Sequence, residues 1–260
     1  MSECLTKAVP LMLEARKNCR FYITAIVAIV ASVVFFPPDA NARKVYSPVV
    51  EKGELELEYH LDYVIDSNPL KNTAARHQFE LEYGVTDRWA TAIYGVFRKS
   101  PTQGFRYEEI KWENIYQLFE EGERWLDAGL YLEYIVPEGF LNRSDVIEFK
   151  LLLQKELNEL THKANITLKK ELGTNAARST AISFAWQSRW RWSHTFQPGI
   201  EIYSSLGELG NINTFSRQSH LIGPVVAGKV GEMKYDLGYL FGLTSGSNDG
   251  TLKLIVAYEF

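Results

Sequence analysis

Cysteine is nearly absent. The 260-residue chain has two, Cys4 and Cys19, both close to its start. Any product trimmed beyond them carries no disulfide framework and no thiolate metal site. Long apolar runs are also scarce. One stretch, Phe21 to Phe36, is broken only by Thr24 and Ser32, and nothing after it could form a membrane helix. Basic excess is missing too: 28 Lys and Arg face 32 Asp and Glu, which argues against a nucleic-acid partner. No glycine-rich phosphate loop occurs, and the five histidines are scattered, so metal binding and cofactor binding have no motif behind them.

The apolar run has a specific context. Arg16, Lys17 and Arg20 precede it, and Pro37-Pro38 and Ala40-Asn41-Ala42 follow. A basic region, an apolar core and a small-x-small site read as a secretory signal peptide cut after Ala42, with Ala40 and Ala42 as the cleavage residues. The alternative, a membrane anchor, needs a longer run. The basic region is long, and Met12 could be the true start without altering this reading. Cys19 precedes the apolar run and is wrongly placed for a lipoprotein. The expected organisation is a signal peptide over 1–42 and one domain over 43–260. Cleavage removes four of the 28 basic and three of the 32 acidic residues, moving the formal charge from −4 to −5.

From residue 54 onward the chain alternates. Leu55, Leu57, Tyr59, Leu61, Tyr63 and Ile65 interleave with Glu54, Glu56, Glu58, His60, Asp62 and Val64. A helix would scatter these around its circumference; a strand separates them onto two faces. The same pattern returns about twelve times. An even number of strands, near-neutral mean hydropathy and no linker fit a transmembrane antiparallel up-and-down β-barrel, all-β in class. Short turns are expected near Thr86–Arg88, Glu120–Arg124, Glu156–Leu160, Ser193–Thr195 and Val230–Glu232. Longer loops are expected at Asp66–Ala74, Lys99–Gly104, Val136–Ser144, Leu172–Ser179, Leu206–Arg217 and Thr244–Gly250. Aromatics gather beside the short turns: Tyr83, Trp89, Phe119, Trp125, Trp190, Trp192 and Phe196. They suit an aromatic girdle at one membrane interface. A soluble sandwich or barrel is the alternative, but its core would need no such rim.

The chain ends on Leu252, Leu254, Val256, Tyr258 and Phe260, one apolar face closing on an aromatic. This resembles the C-terminal strand of Gram-negative outer-membrane barrels, in which Tyr258 and Phe260 would be read by the barrel-assembly machinery. The resemblance implies export through the periplasm and outer-membrane lipid as a partner. Tyr46-Ser47-Pro48-Val49-Val50-Glu51-Lys52-Gly53-Glu54 and Glu82-Tyr83-Gly84-Val85-Thr86-Asp87-Arg88-Trp89 resemble, more loosely, the channel-like barrels of phenol-degradation pathways. That likeness carries no substrate and no functional residue.

If the apolar faces meet lipid, the polar faces line a lumen. Early strands supply Glu54, Glu56, Glu58, Asp62, Glu80 and Glu82; later ones supply Lys150, Lys163, Lys169, Arg189 and Arg191. In a ring of twelve these sets lie opposite one another, an acidic wall facing a basic wall. Val64, Leu152 and Leu240 share the inward register. Two readings stay open. A hydrated gap would pass small solutes through a transverse field; paired walls would fill the barrel, leaving a structural or adhesion protein that acts through its loops. A lipid-active hydrolase is a third. No histidine has a serine two residues away, and adjacent Ser219 and His220 point to opposite faces, so no catalytic residue is assigned. The expected activity is therefore a non-enzymatic, cofactor-free narrow channel for small solutes.

Overall fold

The computed structural model describes residues 43–174 and 176–260, with Phe140 described in its backbone alone; the cleavage residues Ala40 and Ala42 lie outside them. The alternating segments form strands β1 (Leu55–Ile65), β2 (Ala75–Thr86), β3 (Trp89–Ser100), β4 (Gln103–Gln117), β5 (Asp127–Pro137), β6 (Asp145–Leu157), β7 (Leu160–Leu172), β8 (Thr180–Trp190) and β9 (Gln197–Glu208). A two-residue strand β10 (Asn211–Ile212) only extends β9. Then follow β11 (Ser219–Val230), β12 (Met233–Gly242) and β13 (Gly250–Glu259). Each long strand pairs antiparallel with its neighbours, and β1 pairs with β13 from Glu56↔Glu259 to Ile65↔Gly250. Twelve strands therefore close into a barrel with no free edge, so ladder N–H and C=O groups find partners on both sides except at local register shifts such as Gly84/Thr86 and Val96/Phe97. The last residue takes part: Phe260 N–H donates to Leu55 O at 3.0 Å.

Burial follows the pleat. Glu58, His60 and Asp62 are buried on β1, whereas Leu57 and Ile65 are exposed. On β3 the inward Ala92, Tyr94 and Val96 are buried and outward Ile93 is 54% exposed. A soluble protein buries its leucines and exposes its glutamates; here the sidedness is inverted, as a bilayer requires. Strands of ten to fifteen residues are long enough to span one. Among the described residues no helix is long and apolar enough to cross a membrane. Replacing Ile93 by Arg places a charge at mid-strand on this face. It is expected to cost about 2–4 kcal/mol of stability in lipid vesicles. Denaturant unfolding that leaves the midpoint unchanged would show that this face does not meet hydrocarbon.

Both ends of β1–β13 lie at one rim, with the turns 87–88, 158–159 and 231–232. The alternation of loop lengths expected from sequence is imperfect. The predicted loop Lys99–Gly104 is a tight turn, because β3 and β4 continue until Ser100 faces Gln103. Stacking of Phe97 on Phe105, 5.4 Å apart, and Phe97 against Tyr107 keeps that hairpin zipped. Conversely, the predicted short turn Glu120–Arg124 sits inside a nine-residue connection, 118–126. There Gly122 (φ +72°) gives its N–H to the Asp127 carboxylate at 2.7 Å. Trp125 belongs to that connection and not to β5.

The girdle residues gather at the turn rim. Trp190 stacks on Trp192 at 5.3 Å, Trp192 meets Phe196 at 5.9 Å, and Tyr258 meets Phe260 at 4.9 Å. Trp89 and Trp190 present apolar rings outward and donate their indole N–H to Asn114 (3.1 Å) and Glu159 (2.8 Å). Tyr83 and Trp125 are exposed and Phe119 is half-buried. A second set, Phe79, Phe97, Phe105, Tyr239 and Phe241, lies toward the loop rim, where the sequence suggested no belt.

Candidate functional site

The chain before β1 enters the barrel. Residues 43–50 lie in the lumen, a placement that no sequence pattern announced. Gly53 makes it possible. Its φ of +83° reverses the chain beneath β2, where its N–H donates to Gly84 O at 2.7 Å and Gly84 N–H donates to Glu54 O at 2.9 Å. A Cβ on Gly84 would fall 1.9 Å from Glu51 O, so only glycine lets the segment pass. Pro48 lies against Gly129, where again no side chain fits.

An inserted backbone brings polar groups that need partners. Asn165 on β7 clasps Tyr46 from both sides: its Oδ1 accepts the Tyr46 N–H at 2.7 Å and its Nδ2 donates to Tyr46 O at 3.0 Å. Val50 N–H donates to Gln117 Oε1 at 2.9 Å, and Ser47 Oγ donates to Gln154 Oε1 at 2.8 Å. The segment also completes the interior packing. Val45 joins Tyr203, Leu221 and Leu240, and Tyr46 joins Ile115, Tyr131 and Leu152.

Two charged layers surround it. In the first, Lys44 Nζ lies 3.1 Å from both oxygens of Glu58 and 3.3 Å from Glu80. His60 Nε2 bridges the same pair at 2.6 and 2.9 Å. Tyr94 and Tyr131 hydroxyls both donate to Glu113 Oε2, at 2.6 and 2.9 Å. Lys150 Nζ sits 3.6 Å from the centre of the Tyr131 ring and 4.1 Å from that of Tyr46. In the second, Lys253 Nζ contacts Glu201 at 2.7 and 2.8 Å and Asp236 at 3.1 Å. Tyr203 hydroxyl donates to Glu201 at 2.8 Å, Gln187 amide also donates to Glu201, and Arg189 pairs with Asp236.

The segment divides the lumen. On the loop side a cavity of about 260 Å³ is lined by Lys150, Lys169 and Ser183, among others; on the turn side one of about 500 Å³ is lined by Glu56, Glu82, Lys163 and Arg191. Lys44 and Tyr46 line both, so they form the partition.

Nine of the eleven charged residues singled out from sequence line these two cavities: Glu54, Glu56, Glu58, Glu82, Lys163, Arg189 and Arg191 the larger, Lys150 and Lys169 the smaller. Glu80 and Asp62 are buried. Their partners are more local than two opposed walls imply. Lys234 bridges Glu54, Glu56 and Glu259; Lys150 pairs with Glu148 at 2.9 Å; Lys111 pairs with Glu133 at 3.3 Å. Val64, Leu152 and Leu240 are fully buried. Sequence reasoning passed over Glu113, Glu133, Glu201 and Lys253, although the same alternation put each on a polar face. It had no signal for Lys44 or Tyr46.

Three sets of ligand-type groups also come together: Glu58–His60–Glu80, Glu80–Glu82–Glu113 and Glu54–Glu56–Glu259. Lys44 stands against the first and Lys234 against the third, so charge there is met by ammonium groups. One Ser–His pair forms across strands, where a search along single strands could not find it. His220 faces Ser204 in the β9–β11 register, with Nδ1 2.9 Å from Ser204 Oγ and Nε2 2.7 Å from Gln218 Oε1.

At the loop rim, Asp249 ties two loops together. It accepts the Ser67 N–H at 2.7 Å, and its own N–H donates to Asp66 at 3.3 Å. Hydrogen bonding from Ser67 holds the Asp249 carboxyl below its ordinary pKa, helped by nearby Lys71. The clasp is therefore complete above the usual carboxylate range and weakens as pH falls through the depressed value. Protease cleavage at 66–74 is expected to speed up under that acid and to lose its pH dependence in Asp249→Asn. An acid response that survives the substitution would clear Asp249.

No family model matches the chain, and no curated protein matches it. Solved structures do. A bacterial polysaccharide outer membrane secretin is 10% identical, with 81% of this chain and 99% of that one covered and a TM-score of 0.41. The outer membrane channel DcaP of Acinetobacter baumannii is 8% identical (82% and 100% covered, TM-score 0.34), and a Rhodopseudomonas blastica porin triple mutant 10% (80% and 99%, TM-score 0.30). At such scores the likeness is of barrel to barrel and adds nothing to what strand pairing and face polarity already establish.

Proposed function

We propose that this protein is a bacterial outer-membrane channel that rests closed, with its own N-terminal segment as the partition. The observation that carries this reading is the pair of polar cavities separated by Lys44 and Tyr46 alone among the inserted residues that line both. The barrel wall is hydrogen-bonded strand to strand all the way round; the partition is a segment of about ten residues which, once residues 1–42 are cleaved, is anchored to the wall at one end only. Withdrawal of that tether joins the cavities into one narrow path lined by Glu56, Glu82, Lys150 and Arg189. Small polar solutes would cross passively, sorted by the charges they meet. Outer-membrane lipid and the assembly machinery are the partners this location implies, with Tyr258 and Phe260 as the assembly signal. Swelling of proteoliposomes tests it. Entry of a pentose and exclusion of a large oligosaccharide are expected once the segment is loosened; no entry of either from demonstrably inserted protein would refute it.

A filled, non-conducting barrel that works through its loops is the second reading. The tyrosine layer around Glu113 favours it. The Ser204–His220–Gln218 cluster favours a third, acyl hydrolysis at the lipid face. Phe215 stacks on His220 at 4.9 Å beside it. Ester turnover in vesicles that disappears in Ser204→Ala would support that reading, and turnover indifferent to the substitution would remove it.

A further inference from the structure

We propose that the lumen contains a recognition site for solutes bearing a primary ammonium group, and that Lys44 is its tethered occupant. This rests on the channel reading and names the solute class. The seat is built of carboxylates on adjacent strands. Glu58 and Glu80 hold the Lys44 ammonium at 3.1 and 3.3 Å. Oxygens of Glu80, Glu82 and Glu113 converge within 4.8 Å of one another. Glu113 is 1% exposed, and its Oε1 has no hydrogen-bond partner among the described residues. The site thus offers a buried acceptor beyond those that Lys44 uses. The Tyr46 ring centre, on the same tether, lies 5.1 Å from Nζ and adds a π face to the closed state alone.

Of the neighbouring basic groups, His60 shares Glu58 and Glu80 with Lys44 from the strand side, while Lys111 and Lys150 are committed to Glu133 and Glu148. A compact cation with three N–H donors satisfies this cage; a quaternary ammonium carries the charge but donates nothing. Glu58 and Glu82 also line the larger cavity, which gives a solute a route to the seat. A solute amine and Lys44 would then compete for the same oxygens, so arrival of the solute favours departure of the tether.

The test uses the full mature chain carrying Lys44→Ala in detergent, with n-butylammonium as probe. The readout is the temperature at which gel mobility changes from folded to unfolded. Lys44→Ala is expected to lower it, and n-butylammonium to restore at least half the loss, saturating at about 1–10 mM. If Lys44→Ala does not fold unaided, refolding yield with and without n-butylammonium becomes the readout. Tetramethylammonium at equal ionic strength should do nothing. Equal rescue by tetramethylammonium, rescue by magnesium alone, or no rescue would each overturn the proposal. Rescue with a bilayer in which Lys44→Ala itself stays silent would retain the seat and discard the channel; conduction by Lys44→Ala without rescue would do the reverse.

Discussion

Lys44→Glu should expel the N-terminal segment and open the lumen. The substitution sets a fourth carboxylate against Glu58, Glu80 and Glu82 where an ammonium now stands. Removing one partner from a buried ion pair costs about 3–5 kcal/mol, and reversing its sign costs no less. Every 1.4 kcal/mol is tenfold in an equilibrium, so the equilibrium for segment insertion should fall by at least about two orders of magnitude. The barrel itself should survive, because no strand pairing depends on Lys44. Position 45 can report the change. Val45 is 6% exposed between Tyr203, Leu221 and Leu240, and the chain beyond residue 42 has no cysteine. A thiol in Val45→Cys should be protected from a bulky maleimide. In the Lys44→Glu background it should label at least about 100-fold faster. Equal labelling in both backgrounds, with both barrels folded, would mean that the ion pair does not hold the segment.

The second large effect belongs to Lys253. Its ammonium is 1% exposed and faces Glu201, which is fully buried, and Asp236. Lys253→Met leaves Glu201 with neutral donors only, Gln187 and Tyr203. A loss of about 3–5 kcal/mol in denaturant unfolding is expected. The double variant Lys253→Met with Glu201→Gln should recover more than half of it, because the stranded charge is then gone as well. Additive losses would show that the two residues act independently. This site differs from the Lys44 seat in what it joins. Lys253 links β13 to β9 and β12 within the wall, so its loss should destabilise the barrel without opening the lumen.

Most of the wall was legible in the sequence, and the reason is geometric. A strand in a barrel faces hydrocarbon on one side and polar contacts on the other, so each residue from Glu54 to Val64 had to declare its side. The twelve long strands fall within a few residues of their expected positions. Loop lengths were read less well. The β3–β4 hairpin is extended by contacts of Phe97 with Phe105 and Tyr107, which local turn residues such as Pro101 and Gly104 do not reveal. The partition was not legible at all. Arg43 to Val50 has no period, because an inserted tether is surrounded on all sides and alternates with nothing. Its cues were single residues whose meaning is tertiary: Gly53 and Gly84 where backbones cross, Asn165 where an amide matches a passing peptide group. The two charged walls were drawn from one polar face at a time. Pairing across strands, as in Lys253 with Glu201, became visible only with the register in place.

Single-channel recording in a planar bilayer under a salt gradient tests the central claim most directly, with the native chain from Arg43 onward and its Lys44→Glu variant side by side. The native protein should be almost silent. Lys44→Glu should show discrete, reproducible steps whose reversal potential reports cation preference, since the acidic oxygens of Glu58, Glu80 and Glu82 are then uncovered. Steady and equal conductance in both proteins would contradict the account, because it would mean that the N-terminal segment does not close the lumen.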